Sequence, residues 1–159
     1  MVYNVTTTKE PTKLFSSGSV TSIGTMKIDG ELTEEVSAHT FNTLGRHEVK
    51  VLLKDTTKNG TLKFEDVSQL KELSIPSSIN SLGSHFLYNC GGIEKIYSYA
   101  QKAPSIEAAT YSSSSPTFYK INTNGILFIP QDSDYKVWLT NYTNGVSLYN
   151  YNWTKEYME

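Results

Sequence analysis

The chain has 159 residues, enough for one compact domain or one array of repeats with terminal caps. Its net charge of -2 supplies no basic stripe for nucleic acid, and no polybasic run suits an anionic membrane surface. The single cysteine, Cys90, excludes an internal disulfide framework and any structural zinc site built from several thiolates, and no stretch is long enough to span a bilayer.

Charged residues make up only 19%, while 11 Tyr, 6 Phe and 2 Trp leave many rings to sit at or near the surface. Ser, Thr and Asn supply the remaining polarity. Met1 is followed by Val2, Tyr3, Asn4 and Val5, with no basic start and no apolar run of signal-peptide type. The expectation is an extracellular or cell-surface protein whose leader is absent from this sequence.

The first 45 residues read as strands. Val2 to Val5 is a short β-prone run. Met26 to Leu32 alternates and places Asp29-Gly30 at a turn, a strong hairpin signal. Arg46 to Leu53 follows with a two-residue period. No segment of this region has helical periodicity.

The middle of the chain repeats. Leu70 and Leu73, three apart with a polar pair between them, recur 23 residues later as Ile93 and Ile96. Stepping back 24 residues from Leu73 reaches Val49, and stepping forward 31 from Ile96 reaches Leu127. Intervals of 23 and 24 lie in the leucine-rich-repeat range, and the longer one contains the loop insertion Ser112 to Pro116. Val49–Leu53, Leu73–Ile75, Ile96–Ser98 and Ile126–Ile129 are therefore expected as adjacent parallel strands. Between strands, Ile79, Leu82, Phe86 and Cys90 fall three or four apart and should enter one core. Gly83 and the Gly91-Gly92 pair mark tight corners.

The tail changes character. Asp132 to Leu139 predicts a short helix with an Asp or Ser cap. Tyr142, Tyr149, Tyr151, Trp153 and Tyr157 follow, and they read as a cover for the end of the repeat array.

Strand alternation sets the outward columns. With Val49, Val51, Leu73, Ile75, Ile96, Leu127 and Ile129 inward, one outward column holds Lys50, Ser74, Tyr97 and Phe128. A neighbouring one holds Glu48, Glu72, Lys95 and Ile126, and Tyr99 stands beside Tyr97. Lys50, Ser74, Tyr97, Tyr99 and Phe128 are the candidate ligand-binding residues. Exposed rings on a regular ladder suit sugar stacking or the anchoring of a protein partner. The competing reading folds the Ser-rich insertion over these rings and makes them core.

The stretch Leu73-Ser74-Ile75-Pro76-Ser77-Ser78-Ile79-Asn80-Ser81-Leu82-Gly83, continuing through Phe86-Leu87-Tyr88-Asn89-Cys90, resembles the BspA-type leucine-rich repeat. That family's consensus is an apolar-x-Ile-Pro strand, then Ser-Val-x-x-Ile-Gly, then a Phe-Tyr-x-Cys turn. Ile93 through Pro104 resembles a final repeat, and Phe118 through Pro130 is similar to the family's closing strand. The tail through Trp138 and Tyr149 to Thr154 also looks like the family's ending. The resemblance covers roughly Val49 to Trp153, and residues 1–45 resemble the β-rich leader that often precedes such arrays. It implies a parallel β-ladder solenoid, a secreted or cell-surface place, adhesion or recognition, and host-associated bacteria. Family members share no catalytic residues, so none is transferred.

Other chemistry is weighed residue by residue. Cys90 with His85 forms a nucleophile pair on one reading; on the other, preferred, Cys90 is a small core residue. His39, His47 and His85 lack metal-ligand spacing. Asp132 and Asp134 suit a calcium site or a helix cap, and the cap is preferred because no full twelve-residue loop follows. The sequons at Asn4, Asn59, Asn141 and Asn152 carry no information in so Asn-rich a chain.

The fold expected is a leucine-rich-repeat solenoid, mainly β with short helical turns. Residues 1–45 form a β-rich N-terminal cap or leader domain, 46–130 the short array and 131–159 the aromatic C-terminal cap. The function expected is non-enzymatic recognition or adhesion, with no cofactor and no metal. The ligand is a protein or a glycan of host origin, the glycan reading being the alternative.

Overall fold

A computed structural model of the chain describes residues 1–54, 62–107, 116–143 and 146–159. The strands, in chain order, begin with β1 (Val2–Val5), β2 (Thr12–Lys13), β3 (Ile23–Ile28), β4 (Glu31–Thr33), β5 (Ala38–His39) and β6 (Gly45–Leu53). They continue with β7 (Phe64–Glu65), β8 (Leu70–Ile75), β9 (Ser81–Leu82), β10 (Leu87–Tyr88) and β11 (Lys95–Ser98). The last are β12 (Ser105–Ile106), β13 (Phe118–Tyr119), β14 (Ile126–Ile129) and β15 (Thr154–Tyr157). Helix is confined to α1 (Lys136–Leu139) and two 3₁₀ turns at Ser17–Ser22 and Leu148–Tyr151 among the described residues.

One 8-stranded sheet runs in the order β15-β14-β11-β8-β1-β6-β3-β4. Its two halves obey different rules. From β8 to β15 every pairing is parallel, with Leu73, Ile96 and Leu127 in register. From β8 to β4 every pairing is antiparallel. The parallel half carries the 23- and 31-residue intervals read from the sequence, because a chain returning to the same ladder after each turn stacks like on like. Two further ladders of the same kind accompany it. β7, β10 and β13 align Phe64, Leu87 and Phe118, all fully buried. β9 and β12 align Leu82 with Ile106. Ile79, Leu82, Phe86 and Cys90 all enter the shared core, as their spacing predicts.

The expected neighbour of β8 is corrected. Val49–Leu53 lies on β6, and β1 sits between β6 and β8, antiparallel to both. Tyr3 explains why β1 is held there. Its ring is fully buried and its hydroxyl donates to the Leu14 carbonyl at 2.6 Å. Burying Val2 and Val5 beside it removes apolar surface that an exposed strand would leave in water.

The hairpin signal holds. Asp29 and Gly30 both adopt positive φ, 51° and 92°, and join β3 to β4 with Ile28 opposite Glu31. That pair of left-handed residues matches the twist of the flanking strands. The Asp29 carboxylate then does more than turn the chain. It accepts the Glu48 N–H at 2.8 Å and meets His47 Nδ1 at 2.6 Å. Burial opposes its ionisation, yet these bonds win and hold the carboxyl below its ordinary value.

The parallel ladder turns its corners by a repeated device. Asp66, Asn89 and Lys120, each directly after β7, β10 or β13, have φ of 56°, 56° and 50°. The Asp66 N–H donates to the Tyr88 carbonyl and the Asn89 N–H to the Tyr119 carbonyl, at 2.9 and 2.7 Å. Gly92 serves a different purpose. A Cβ there would lie 1.9 Å from the Ser68 carbonyl oxygen, so successive turns meet backbone to backbone at that point.

The predicted tail helix is shorter than expected. It spans Lys136–Leu139, and Tyr135 at its N-cap makes no side-chain cap. Asp134 instead accepts the Lys136 N–H at 3.1 Å, and Ser133 turns back to donate to the Pro130 carbonyl. Trp138, Leu148 and Trp153 are buried, with the Trp138 indole donating to the Pro104 carbonyl and that of Trp153 to the Asn122 carbonyl, both at 2.7 Å.

Candidate functional site

The parallel half of the large sheet presents a regular outer face. Register places Ser74 beside Tyr97, Tyr97 beside Phe128 and Phe128 beside Glu156. Neighbouring strands lie about 4.8 Å apart, so rings on register partners are driven face to face. Tyr97 and Phe128 do stack, with centroids 4.6 Å apart and planes 9° from parallel. Both are half-buried. Tyr99 is exposed at 49%, held by its N–H donating to the Ile75 carbonyl at 3.0 Å. Ser74 is exposed and small, and stands on the open side of Tyr97.

Lys50 stands apart from these four. It lies on β6, paired with Lys27 of β3 and ion-paired with Glu48 at 3.1 Å. Because β1 is inserted between β6 and β8, Lys50 and Ser74 are not on adjacent strands. The adjoining row carries charge across the same strands. Glu72 meets Arg46 at 3.4 Å and Lys95 at 4.0 Å, and Lys71 meets Glu94 at 2.7 Å. The Ser112 to Ser115 insertion lies outside the described residues, as do Asn59 and its sequon.

A second aromatic ladder, missed in the sequence, lies on β10 and β13. Tyr88 and Tyr119 are register partners and stack at 5.1 Å, with the His85 ring 4.6 Å from Tyr88 and the Lys120 ammonium 5.5 Å from the centre of the Tyr119 ring. The signal was available: the 31-residue interval that links Ile96 to Leu127 also links Tyr88 to Tyr119.

The chemical alternatives resolve against catalysis by Cys90. The thiol is fully buried, donates to the Phe64 carbonyl, and burial pushes its pKa from 9.0 to about 12. A thiolate nucleophile needs the opposite shift. His85 Nδ1 faces Glu65 at 2.9 Å. His39 packs edge-on against Phe41, and His47 is engaged by Asp29 and the Thr43 carbonyl. Among the described residues no group of three or more His, Cys, Asp or Glu side chains could hold a metal ion. No helix among them is long and apolar enough to cross a membrane.

The chain matches the family described as BspA type leucine rich repeat region in 6 copies, over residues 11–117 and 34–141. Neither a curated protein nor a solved structure matches it. The family match covers most of the sequence, and the repeat interval it implies is the interval at which β8 and β11 stack in parallel. The chain therefore belongs to the BspA-type leucine-rich-repeat family, whose repeats generally act as non-catalytic protein-interaction modules.

Proposed function

We propose that this chain is a surface-exposed recognition or adhesion module that binds a protein ligand through the outer face of its repeat ladder. The observation that carries the reading is the Tyr97–Phe128 stack beside exposed Tyr99. Rings held rigid before binding cost little ordering entropy on association, and aromatic side chains are over-represented among binding hot spots. Ser74, Tyr97, Tyr99 and Phe128 form the centre of the site, with Lys50 at its flank. The rest of the chain takes supporting roles in a solenoid: residues 1–45 close one end through β3 and β4 and lend β1 to the sheet interior, 46–130 carry the ladder, and 131–159 cover the other end with Trp138, Leu148 and Trp153. The family relationship supports a place outside the cell and a ligand of host origin.

A carbohydrate ligand is the second reading. Ser74 puts no ring against the other face of Tyr97, which leaves a flat apolar surface for sugar C–H groups. Parallel binding of the chain to a glycan array and to a panel of host matrix proteins separates the two. Binding to a protein that survives deglycosylation supports the first reading, and binding to isolated glycans supports the second. In either case Tyr97→Ala with Phe128→Ala must abolish the signal.

A further inference from the structure

Two stacked aromatic pairs stand on the parallel ladders, and they end differently. On β10 and β13 the Tyr88–Tyr119 stack is followed by Lys120, whose ammonium lies 5.5 Å from the centre of the Tyr119 ring. The face of an aromatic ring is electron-rich, so a cation over it is favourable. That pair carries its own cation. On β11 and β14 the Tyr97–Phe128 stack meets a carboxylate instead, because register sets Glu156 of β15 beside Phe128. The two ring planes lie 9° from parallel and the stack runs across the strands, so the far face of Phe128 is turned toward β15.

The surrounding charges sharpen the contrast. Glu48 is paired with Lys50, Glu72 with Arg46 and Lys95, and Glu94 with Lys71. Glu156 is exposed and makes no ion pair among the described residues. Lys155, next to it in the chain, alternates to the opposite face of the strand. There its ammonium meets the Tyr157 hydroxyl at 3.1 Å and lies 5.2 Å from the centre of that ring. An electron-rich ring face and a carboxylate, one strand spacing or about 4.8 Å apart, are thus both left without a counter-charge. One cation placed between them would serve both.

We propose that the outer face of the ladder recognises an arginine side chain of its protein partner, with the guanidinium against Phe128 and paired with Glu156. This rests on the protein-recognition reading of the same face and names the chemical group that face selects. Arginine suits the position better than lysine. Its planar, weakly hydrated guanidinium stacks on a ring, while its N–H fork meets a carboxylate through two parallel bonds. Glu156 ends a flexible side chain on a strand exposed at all four residues, so its carboxylate can close on the guanidinium without any backbone movement. The Tyr88–Tyr119 ladder, supplied by Lys120, should take no such guest.

The probe is an acetylated, amidated peptide of arginine between two glycines, compared with the same peptide carrying citrulline, which keeps the planar group and loses the charge. Titrated into the 159-residue chain, the arginine peptide should shift the ring resonances of Tyr97 and Phe128 saturably and leave those of Tyr88 and Tyr119 in place. Citrulline in the peptide, or Glu156→Gln in the protein, should each weaken binding by about fivefold or more. Glu156→Gln should melt with the parent chain, since the side chain is exposed and makes no ion pair among the described residues. Absence of a saturable shift overturns the proposal, and so does equal binding of the citrulline peptide or undiminished binding to Glu156→Gln. Equal shifts at Tyr88 and Tyr119 would show attraction to any ring and overturn it too. The underlying reading fails by a separate result, in which Tyr97→Ala with Phe128→Ala leaves binding to host matrix proteins intact.

Discussion

Replacing Tyr97 and Phe128 by alanine separates a binding face from a core. The two rings are half-buried and stacked at 4.6 Å across β11 and β14. A cross-strand aromatic pair contributes about 0.5–1.5 kcal/mol beyond the area it buries. With the area of two half-buried rings added, the double variant should lose about 2–4 kcal/mol and each single variant about 1–2 kcal/mol. For a chain of this size each kcal/mol corresponds to about 2–4 °C, so the melting temperature of each single ring variant should fall by only a few degrees. Leu73, 3% exposed in the inward row beneath, sets the contrast. Leu73→Ala opens a cavity and should cost about 2–5 kcal/mol while leaving ligand affinity of the folded fraction unchanged. The assay is a urea titration of both single ring variants, the double variant and Leu73→Ala, each paired with a binding curve. The two ring substitutions should couple by about 0.5–1 kcal/mol in the double-mutant cycle. A ring variant that costs as much as Leu73→Ala would refute the reasoning, because those rings would then be core under a cover and unavailable to a ligand.

Three further outcomes follow from the packing. Cys90→Ser should cost only about 1–2 kcal/mol, since the Phe64 carbonyl that takes the thiol proton can take the hydroxyl proton too, and the native thiol should resist a bulky maleimide over hours. The raised thiol pKa stabilises the fold fully below pH 9.0 and that contribution is lost as pH climbs toward about 12; the serine variant should show a shallower alkaline decline, with buried Tyr3 responsible for part of what remains. Asp29→Asn keeps the left-handed turn but removes the charge. It should be less stable than wild type by about 1 kcal/mol near pH 6, and the difference should vanish as pH falls below the ordinary carboxyl value of 3.8, since a lowered pKa contributes stability only above that range. Gly92→Ala forces a Cβ into the Ser68 carbonyl at 1.9 Å, so the two turns must part; a loss of about 1–3 kcal/mol by denaturant midpoint is expected, against almost none for Gly91→Ala, where the space is open.

Much of the parallel half was legible because repetition converts sequence intervals into spatial neighbours. Leu73, Ile96 and Leu127 could be aligned from their spacing alone. The Asp29-Gly30 turn was legible for a local reason, two residues that tolerate positive φ. β1 was not placed, because antiparallel pairing of Val2 with Glu48 leaves no trace at any fixed interval. Its insertion also removed Lys50 from the column assigned to it. β15 escaped for the opposite reason: all four of its residues are exposed, so no apolar alternation marks it, and Glu156 beside Phe128 went unseen with it. The helix after Asp132 was overextended because local capping signals do not register a competing turn, here Ser133 closing on the Pro130 carbonyl.

The parallel register has a consequence for how the protein can change size. β8 and β11 are related by a shift of 23 residues with no slip between them. Duplicating one such segment would therefore lengthen the chain without disturbing any existing pairing, and would add about 4.8 Å to the outer face. The new copy must bring its own left-handed residue where Asp66 and Asn89 stand, and a residue without a Cβ where Gly92 meets the turn below. Growth by whole turns thus keeps the register of the ladder, and the interval from Ile96 to Leu127, eight residues longer than that from Leu73 to Ile96, keeps it as well.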